Sequence, residues 1–482
     1  MSKLNLVTKA CAVFLLWAAA AVALPAQTAP VSPPVPTVTF TTLFTFGVGD
    51  GEGPWGLVQG PDGNLYGTTY DGNGAQSTGT VFKITPSGAF TSLGGFACGP
   101  VGCTDGTNPA AGLVLGTDGN FYGTASEGGH ENCHADEGCG TIYAITPAGM
   151  MTALHLFDRS DGSSPRAPLI QATNGNLYGT TYRGTPNGDG TVFRITLSGM
   201  FTTLHSFDGT DGVNPDAGLV QGTDANLYGT TYGGGTNDEG TVFEITPDGK
   251  LTTLYNFCSQ ANCTDGDAPF AGLVQATDGN FYGTTYGGGT NNDGTVFKIT
   301  PTGMLTTLHS FDGPDGASPE AGLIQGTDGN FYGTTAEGGV RGDGTVFQIT
   351  SGGMFTTLHS FDSPNGANPE AGLIQGTDGN FYGTTFYGGT ENWGTIFSLS
   401  VGLGPFVETN PVAGKVGAKV GILGTNLTGA TSVTFNGTAA VFKVRSETLI
   451  LAEVPSGATT GTVQVQLPGG ALSSNVPFIV LQ

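Results

Sequence analysis

A phrase that recurs along most of the chain constrains its fold more than any other feature. Variants of GLxQGTDGNxYGTT place a Tyr at positions 66, 122, 178, 228, 282, 332 and 382, so that the seven units lie 50 to 56 residues apart. A period near 50 is typical of β-propeller blades and exceeds that of leucine-rich or ankyrin repeats. The sequence therefore predicts a repeat architecture over residues 37–400.

Each unit contains four strand-like runs. In the unit around Tyr228, strand a is Gly218–Gly222, strand b is Asn226–Tyr232, strand c is Gly240–Thr246 and strand d is Lys250–Phe257. Asp-Gly or a similar pair joins a to b and c to d, as expected for tight hairpins. The b–c and d–a loops are longer, so they share the opposite rim of the predicted blades.

The order of the strands predicts a closed ring. An extra d-type strand, Val38–Phe46, precedes the first strand a, and the seventh unit ends at Ser400 without a strand d. Pairing these two segments removes two exposed sheet edges. We therefore expect an all-β fold, with a seven-bladed β-propeller closed by its N-terminal strand. An open β-solenoid is the alternative.

The repeats resemble those of the GloVer family of extracellular tandem repeats. The resemblance rests on GLVQGPDGNLYGTTY at 56–70, GTVFKITP at 79–86 and their six further copies. It implies a secreted or surface-attached bacterial protein and names no activity.

The repeat pattern stops at Ser400, and residues 401–405 form a predicted linker. Residues 406–482 resemble the IPT/TIG family of immunoglobulin-like domains, through Asn410-Pro411, the run Val420–Leu427, the run Ser432–Gly437 and Pro468-Gly469-Gly470. Alternating Val463, Val465 and Leu467 indicate a half-buried strand of a β-sandwich. The resemblance implies a spacer or binding domain without catalysis of its own.

The N-terminus predicts export. Lys3 and Lys9 precede an apolar stretch that is too short for a membrane span, and small residues follow, so residues 1–26 are a predicted signal peptide and 27–36 a linker. Cleavage would change the formal charge from -24 to -26. A protein with this much negative charge repels nucleic acid, so we do not expect nucleic acid as a partner. We expect a secreted, periplasmic or cell-surface protein with no membrane span.

Six cysteines remain after cleavage, in three close pairs: Cys98/Cys103, Cys133/Cys139 and Cys258/Cys263. Even number, short spacing and export predict three local disulfides on the long-loop rim. For the second pair, the neighbouring His130 and His134 leave zinc binding as an alternative.

Two groups of candidate site residues lie on this rim. Just ahead of strand a, the seven units carry Pro54, Ala110, Arg166, Asp216, Phe270, Glu320 and Glu370. Three carboxylates and an Arg near one axis could hold a cation, or serve as acid and base. The alternative is a solvated acidic rim, which the acidity of the chain favours.

The second group is aromatic. Rings end strand b or lie in nearby loops, at Trp55, Tyr70, Tyr182, Tyr232, Tyr286, Phe386, Tyr387 and Trp393. Such rings could stack on sugars or hold a protein partner. Packing between blades would require aromatic residues at the same sites and is the favoured alternative.

Other signals are weaker. Asp208/Asp211 and Asp312/Asp315 resemble calcium loops without the spacing of an EF-hand, and His155, His205, His309 and His359 occupy equivalent places in different blades, where a structural role is expected. No nucleophile elbow, phosphate loop or zinc-protease motif is present.

The sequence therefore favours a binding protein for carbohydrate or protein that needs no cofactor, with calcium as an option. A polysaccharide lyase or hydrolase that uses Asp216, Glu320 and Glu370 is the alternative.

Overall fold

The computed structural model describes residues 38–72, 78–96, 103–130, 138–184 and 187–481. The predicted signal peptide and linker, residues 1–36, lie outside this part of the chain. Within it, strands predominate and the only helical segments are two 3-10 turns, at Ala261–Cys263 and Leu427–Gly429. The prediction of an all-β protein is confirmed.

The first 29 strands form repeated sheets that resemble propeller blades. In chain order they are β1 (Thr39–Thr45), β2 (Glu52–Pro54), β3 (Val58–Gln59), β4 (Leu65–Asp71), β5 (Thr80–Ile84), β6 (Phe90–Gly95), β7 (Val114–Leu115), β8 (Phe121–Ala125), β9 (Thr141–Ile145), β10 (Met151–Leu156), β11 (Ile170–Gln171), β12 (Leu177–Thr181), β13 (Thr191–Ile195), β14 (Phe201–Ser206), β15 (Val220–Gln221), β16 (Leu227–Thr231), β17 (Thr241–Ile245), β18 (Leu251–Asn256), β19 (Val274–Gln275), β20 (Phe281–Thr285), β21 (Thr295–Ile299), β22 (Leu305–Ser310), β23 (Ile324–Gln325), β24 (Phe331–Thr335), β25 (Thr345–Ile349), β26 (Phe355–Ser360), β27 (Ile374–Gln375), β28 (Phe381–Thr385) and β29 (Thr395–Ser400).

Neighbouring strands in each sheet are antiparallel and follow one another along the chain, as in β15-β16-β17-β18. The first sheet has a fifth strand, because β2 pairs with the end of the longer β4. The last sheet has the order β1-β29-β28-β27, so the N-terminal strand pairs with the end of the repeat region. We number the sheets 1 to 7 by their repeat unit.

Hydrophobic clusters lie between successive sheets. One cluster joins Phe207 of unit 3 to Phe243 of unit 4, and another joins Phe46, which follows β1, to Phe82 of unit 1 and Tyr382 of unit 7. All five side chains are at most 2% exposed. Packing of this kind removes apolar surface from water and holds each sheet against the next.

The repeated phrase encodes the turn between strands a and b. In unit 5 the Asp278 carboxylate accepts hydrogen bonds from the backbone and side chain of Asn280 and from the Tyr282 hydroxyl, at 2.8–3.0 Å. The Tyr282 ring stacks on Phe331 of the next unit at 4.0 Å. Asp, Asn and Tyr therefore link the turn to the packing between sheets.

A second set of hydrogen bonds joins the a–b turns of adjacent units. The backbone N–H of a Thr donates to the side-chain oxygen of a Gln in the next unit at 2.8–3.0 Å, in the pairs Thr117–Gln171, Thr173–Gln221, Thr223–Gln275, Thr277–Gln325, Thr327–Gln375 and Thr377–Gln59. Unit 1 has Pro61 at the Thr position and unit 2 has Leu115 at the Gln position. Neither residue can form this bond, since proline lacks an N–H and leucine lacks the acceptor.

The C-terminal strands form an immunoglobulin-like sandwich. They are β30 (Glu408–Asn410), β31 (Ala413–Lys415), β32 (Lys419–Leu423), β33 (Ser432–Phe435), β34 (Thr438–Ala439), β35 (Phe442–Val444), β36 (Leu449–Glu453), β37 (Val463–Leu467), β38 (Gly470–Ser473) and β39 (Ile479–Leu481). Two sheets have the orders β30-β32-β36-β35 and β34-β33-β37-β38. Phe435 and Phe478 pack together in its core.

The sandwich contacts the a–b turns at the junction of units 1 and 2. The Thr448 hydroxyl donates to the Pro61 carbonyl oxygen at 2.8 Å, and the Asn410 side-chain amide donates to the Leu115 carbonyl oxygen at 3.4 Å. Leu115 lies in one hydrophobic cluster with Leu423 and Leu449 of the sandwich. The sandwich therefore lies where the Thr–Gln bond is missing.

Candidate functional site

A cavity of about 670 Å³ lies among the innermost segments of all seven units, at the rim that carries the long loops. Its walls come from the residues just ahead of strand a and from the end of strand b. The side chains that give it chemical character are Trp55, Tyr70, Glu127, Arg166, Arg183, Asp216, Phe270, Glu320, Glu370 and Phe386. The three carboxylates and the Arg named from the sequence thus share one cavity.

Asp216 is the most buried of these acids. Its side chain is 4% exposed, and one oxygen lies 3.9 Å from Arg166 Nη1. Burial raises the pKa of Asp216 to about 6, against the opposing effect of the Arg166 charge. An ion pair at this distance lacks a hydrogen bond, so it only partly offsets the cost of burying the carboxylate.

The pKa values of two glutamates in the wall are raised further than that of Asp216. Burial raises the pKa of Glu320 to about 7, with smaller contributions from the charges of Glu337 and Asp216. Burial, and then the charge of Glu320, raises the pKa of Glu370 to about 8. Because each of these acids disfavours ionisation of its neighbour, the cavity carries less negative charge at neutral pH than its composition implies.

Arginines lie on one side of the cavity beside an aromatic ring. The guanidinium carbon of Arg166 lies 4.2 Å from the centre of the Tyr182 ring, and that of Arg183 lies 5.4 Å from it. Tyr182 contacts these cations and is absent from the cavity wall itself. Cation–π contacts of this kind orient both guanidinium groups.

The predicted aromatic group divides between the cavity and its surroundings. Trp55 and Tyr70 line the cavity, and both lie near Phe386, with ring centres 5.9 and 6.1 Å away. Phe270, also in the wall, contacts Tyr232 and Tyr286 at 6.0 and 6.5 Å. Tyr232 and Tyr286 therefore contact the wall without lining the cavity.

Two further aromatic residues lie outside the cavity. Tyr387 is 45% exposed and contacts Phe386 edge-on at 4.8 Å. Trp393 packs against the hydrophobic cluster between sheets 7 and 1. This is the packing role that the sequence left open for this group.

The long loops are held by local bonds. A disulfide joins Cys258 and Cys263, as predicted. Cys103 and Cys139 are also disulfide-bonded, while the predicted partners Cys98 and Cys133, and His134, lie outside the described residues. The Cys258–Cys263 disulfide thus fixes the shape of one long loop covalently.

The Asp residues that resembled calcium loops form hydrogen bonds within the d–a loops. One oxygen of Asp211 lies 2.7 Å from His205 Nε2, and the other accepts from the backbone N–H of Asp208. Asp315 makes the same contacts with His309 and Asp312. Within the described part of the chain, no three acidic, His or Cys side chains form a group that could hold a metal ion.

A second cavity, of about 600 Å³, lies at the a–b end of the inner strands, between them and the C-terminal sandwich. Gln59, Gln171 and Gln375 line it from the repeats, and Glu408 and Asn410 line it from the sandwich. Burial raises the pKa of Glu408. Sequence reasoning missed this cavity, because it depends on how the sandwich docks.

Sequence reasoning also missed Glu127 and Arg183 in the first cavity. Both occupy the position that follows the end of strand b in their units, a position that also holds Asp71, Glu337 and Tyr387. Comparing that position across the seven units would have found them, since inner segments of repeated units place equivalent residues around one axis.

Comparison with known families matches this repeat architecture. The family model described as the Gloeobacter/Verrucomicrobia repeat matches residues 32–238 and 219–440. The chain belongs to this repeat family. In this Gloeobacter/Verrucomicrobia repeat protein, residues 406–480 match the IPT/TIG domain. Both resemblances predicted from the sequence are confirmed.

Solved structures show distant likenesses to this Gloeobacter/Verrucomicrobia repeat protein. The extracellular domain of a protein described as a hybrid two component system from B. thetaiotaomicron has 12% identity and a TM-score of 0.48; the alignment covers 92% of this chain and spans 58% of that domain. A protein described as a 6-phosphogluconolactonase from Bacteroides fragilis has 18% identity and a TM-score of 0.45, with 67% and 88% covered. The periplasmic gluconolactonase of Pseudomonas aeruginosa has 16% identity and a TM-score of 0.42, with 73% and 98% covered.

At these identities and TM-scores, the likenesses carry no argument about what this chain does. No curated protein matches it. Among the described residues, no helix is long and apolar enough to cross a membrane.

Proposed function

We propose that this chain is an exported, non-catalytic binding protein that holds carbohydrate in the cavity on its long-loop rim. In this proposal residues 1–26 are a signal peptide, residues 37–400 form a closed seven-bladed propeller, and residues 406–482 are a spacer domain. The mature protein is then secreted, periplasmic or displayed at the cell surface. Protein is the alternative ligand.

One observation carries the proposal: a cavity of about 670 Å³ receives side chains from every repeat unit. Binding sites are concave, with apolar walls and a few polar groups that point inward. The wall combines aromatic faces at Trp55, Phe270 and Phe386 with the charged groups of Arg166 and Asp216. Aromatic faces suit sugar rings, and a recess of this size suits the end of a glycan better than a flat protein surface.

Closure of the propeller is supported by contacts between units 7 and 1. They include the β1–β29 pairing, the Thr377–Gln59 hydrogen bond and the cluster around Phe46. A closed ring would fix the seven inner segments around one axis and so pre-form the cavity.

A glycan array, followed by calorimetry on the glycans that bind, tests the proposal. Trp55→Ala should weaken binding about tenfold or more, because it removes the largest ring of the wall. Trp55→Phe, which keeps a stacking face, should lose less. Val340→Ser on the same rim is the control, since Val340 is 87% exposed and absent from the cavity wall. A blank array together with a blank pull-down of secreted proteins would overturn the proposal.

The pKa values favour one second candidate, a polysaccharide lyase or hydrolase. Glu370, with a pKa of about 8, could donate a proton, and Asp216, with a pKa of about 6, could accept one. Turnover that is present in the native protein and lost in Asp216→Asn and Glu370→Gln would establish it. No turnover of polysaccharides that bind would exclude it.

A further inference from the structure

The cavity wall carries more acidic than basic side chains. Its described wall holds two arginines and four acids: Arg166, Arg183, Glu127, Asp216, Glu320 and Glu370. Glu337 adds a further negative charge close to Glu320. Arg166 and Arg183 both lie against Tyr182, so the Glu320 and Glu370 side of the cavity receives no cation from the described residues.

One carboxylate of the wall is buried without a hydrogen bond. The Asp216 side chain is 4% exposed, and within the described chain only Arg166 approaches it, beyond hydrogen-bond distance at 3.9 Å. A buried carboxylate is costly unless a partner satisfies it fully. Asp216 therefore favours a ligand that brings a second cationic donor.

We propose that the ligand is an amino-sugar oligomer, whose protonated amines pair with the carboxylates of Asp216, Glu320 and Glu370 while its rings stack on the aromatic faces of the cavity. This inference rests on the proposed function and names its ligand class. Both contacts come from one molecule, since each unacetylated hexosamine unit carries a cation on a ring that can stack on aromatic faces.

An anionic sugar fits the same wall poorly. A uronate or phosphate could pair with Arg166 and Arg183, but the Asp216 carboxylate beside Arg166 would repel it, and Glu320 and Glu370 would offer it no cation. A neutral N-acetyl sugar could stack on the aromatic faces and would leave the carboxylates unpaired. The three ligand types therefore differ in charge, which is the property that the wall selects.

Calorimetry on the full mature chain with matched oligosaccharides tests this inference. The probes are the tetramer of glucosamine, the tetramer of N-acetylglucosamine and a tetramer of galacturonate, all at low salt. We expect the amine tetramer to bind about tenfold or more tightly than the acetylated tetramer, and the uronate tetramer to bind least. Equal binding of the first two would overturn the amine inference and leave carbohydrate binding intact. Failure of every glycan would overturn both.

Variants of the wall identify the groups responsible. The double variant Glu320→Gln/Glu370→Gln keeps the shape of the wall and should reduce the preference for the amine tetramer to less than about threefold, with little change for the acetylated tetramer. Glu391→Gln, an exposed acid of the same rim outside the cavity wall, is the matched control and should retain the preference. An unchanged preference in the double variant, with a native melting curve, would contradict the assignment.

Proton release provides an independent readout. At pH 6 the amine is protonated, while burial keeps the pKa of Glu320 at about 7 and that of Glu370 at about 8. An approaching cation favours ionised carboxylates, so binding should release protons, which calorimetry in two buffers of different ionisation enthalpy measures. Glu127, Arg166, Arg183 and Asp216 line the same cavity, Glu337 lies close to Glu320, and all five contribute to the proton balance. Proton uptake, or none exchanged, would contradict the amine contact.

Discussion

At the scale of single residues, Glu320 and Glu370 show how burial sets charge in this molecule. Both line a cavity in which the described cations lie beside Tyr182, and their pKa values rise to about 7 and about 8. In the unfolded chain the same groups ionise near their ordinary value of 4.5. Between these values, ionisation favours the unfolded chain, so each glutamate destabilises the fold increasingly as the pH rises through that window.

The resulting prediction concerns Glu370→Gln. The cost of Glu370 is absent below about pH 4.5 and complete above about pH 8, so the variant should match the native protein at pH 4 and exceed its stability at pH 8.5. Solvent screening of this half-buried group limits the gain to about 1 kcal/mol. Urea unfolding at the two pH values measures it, and Glu391→Gln is the control. An equal gain at both pH values would show that packing, and not ionisation, is responsible.

The sequence identified these acids as candidates, but it gave no information about their pKa values. Asp216, Glu320 and Glu370 occupy equivalent positions in their units, so the predicted ring would bring them together, and the structure places them in one cavity. Their pKa values depend on how deep each carboxyl lies and which charges face it, and no residue pattern reports depth. For the same reason the sequence did not show that the Trp55 indole N–H is buried with no acceptor among the described residues.

At the scale of elements, repetition made most strands predictable. Strands b, c and d of unit 4 begin and end within one residue of the predicted bounds, because their alternating side chains pack against both neighbouring sheets. Strand a was overpredicted: only Val220 and Gln221 pair with strand b, since the residues before them turn into the cavity wall. The pairing of β2 with the end of β4 was missed; each of the other six units has a single antiparallel bridge in the corresponding place, such as Val213–Gly233 in unit 4.

The pairing of β1 reproduces the register of an ordinary outer strand. Its partners in β29 shift between Thr42 and Phe44, and the partners of β18 in β17 shift at the equivalent place, between Thr253 and Tyr255. Phe40 stacks on His359 at 3.7 Å, as Phe201 stacks on His155 at 3.9 Å. β1 therefore carries the same bulge and the same ring contact as the strands that follow in sequence.

Crosslinking tests this register. Thr41 lies opposite Ser398, and opposed residues of antiparallel strands lie about 4.5–5.5 Å apart at their Cα atoms, within disulfide range. The variant Thr41→Cys/Ser398→Cys should therefore form a disulfide under mild oxidation, detected by peptide mass mapping. Thr41→Cys/Gln348→Cys places the second cysteine at the equivalent site of sheet 6 and should remain uncrosslinked. Crosslinking in the control alone would place β1 on a different sheet.

At the scale of the whole molecule, the sandwich docks where the repeats depart from their own pattern. Six Thr–Gln hydrogen bonds join neighbouring units, and the one junction without it has Pro61 and Leu115. There the Pro61 carbonyl accepts from Thr448, and Leu115 lies in one hydrophobic cluster with Leu423 and Leu449. Two substitutions in the repeats thus replace a hydrogen bond between units with a surface that contacts the sandwich. Leu115 also lines the second cavity.

Substituting Leu115 and Pro61 with the residues of the other repeats should separate two effects of this junction: the hydrogen bond between units and the contact with the sandwich. Leu115→Gln alone should destabilise the protein by about 1–3 kcal/mol, because it buries a polar group against Leu423 and Leu449 while Pro61 offers no N–H to bind it. Adding Pro61→Thr supplies that N–H, so the stability of the repeat region should largely return. The apolar contact with the sandwich remains lost in both variants.

Limited proteolysis and thermal unfolding together measure the outcome. Both variants should be cleaved faster than the native protein within residues 401–405, because a sandwich with a weaker contact exposes its connection more often. The double variant should regain most of the melting temperature that the single variant loses, and Thr448→Ser, which keeps the hydroxyl, should behave as native. If cleavage is unchanged while stability falls, Leu115 stabilises the repeats only, and the hydrogen bonds of Thr448 and Asn410 suffice to hold the sandwich.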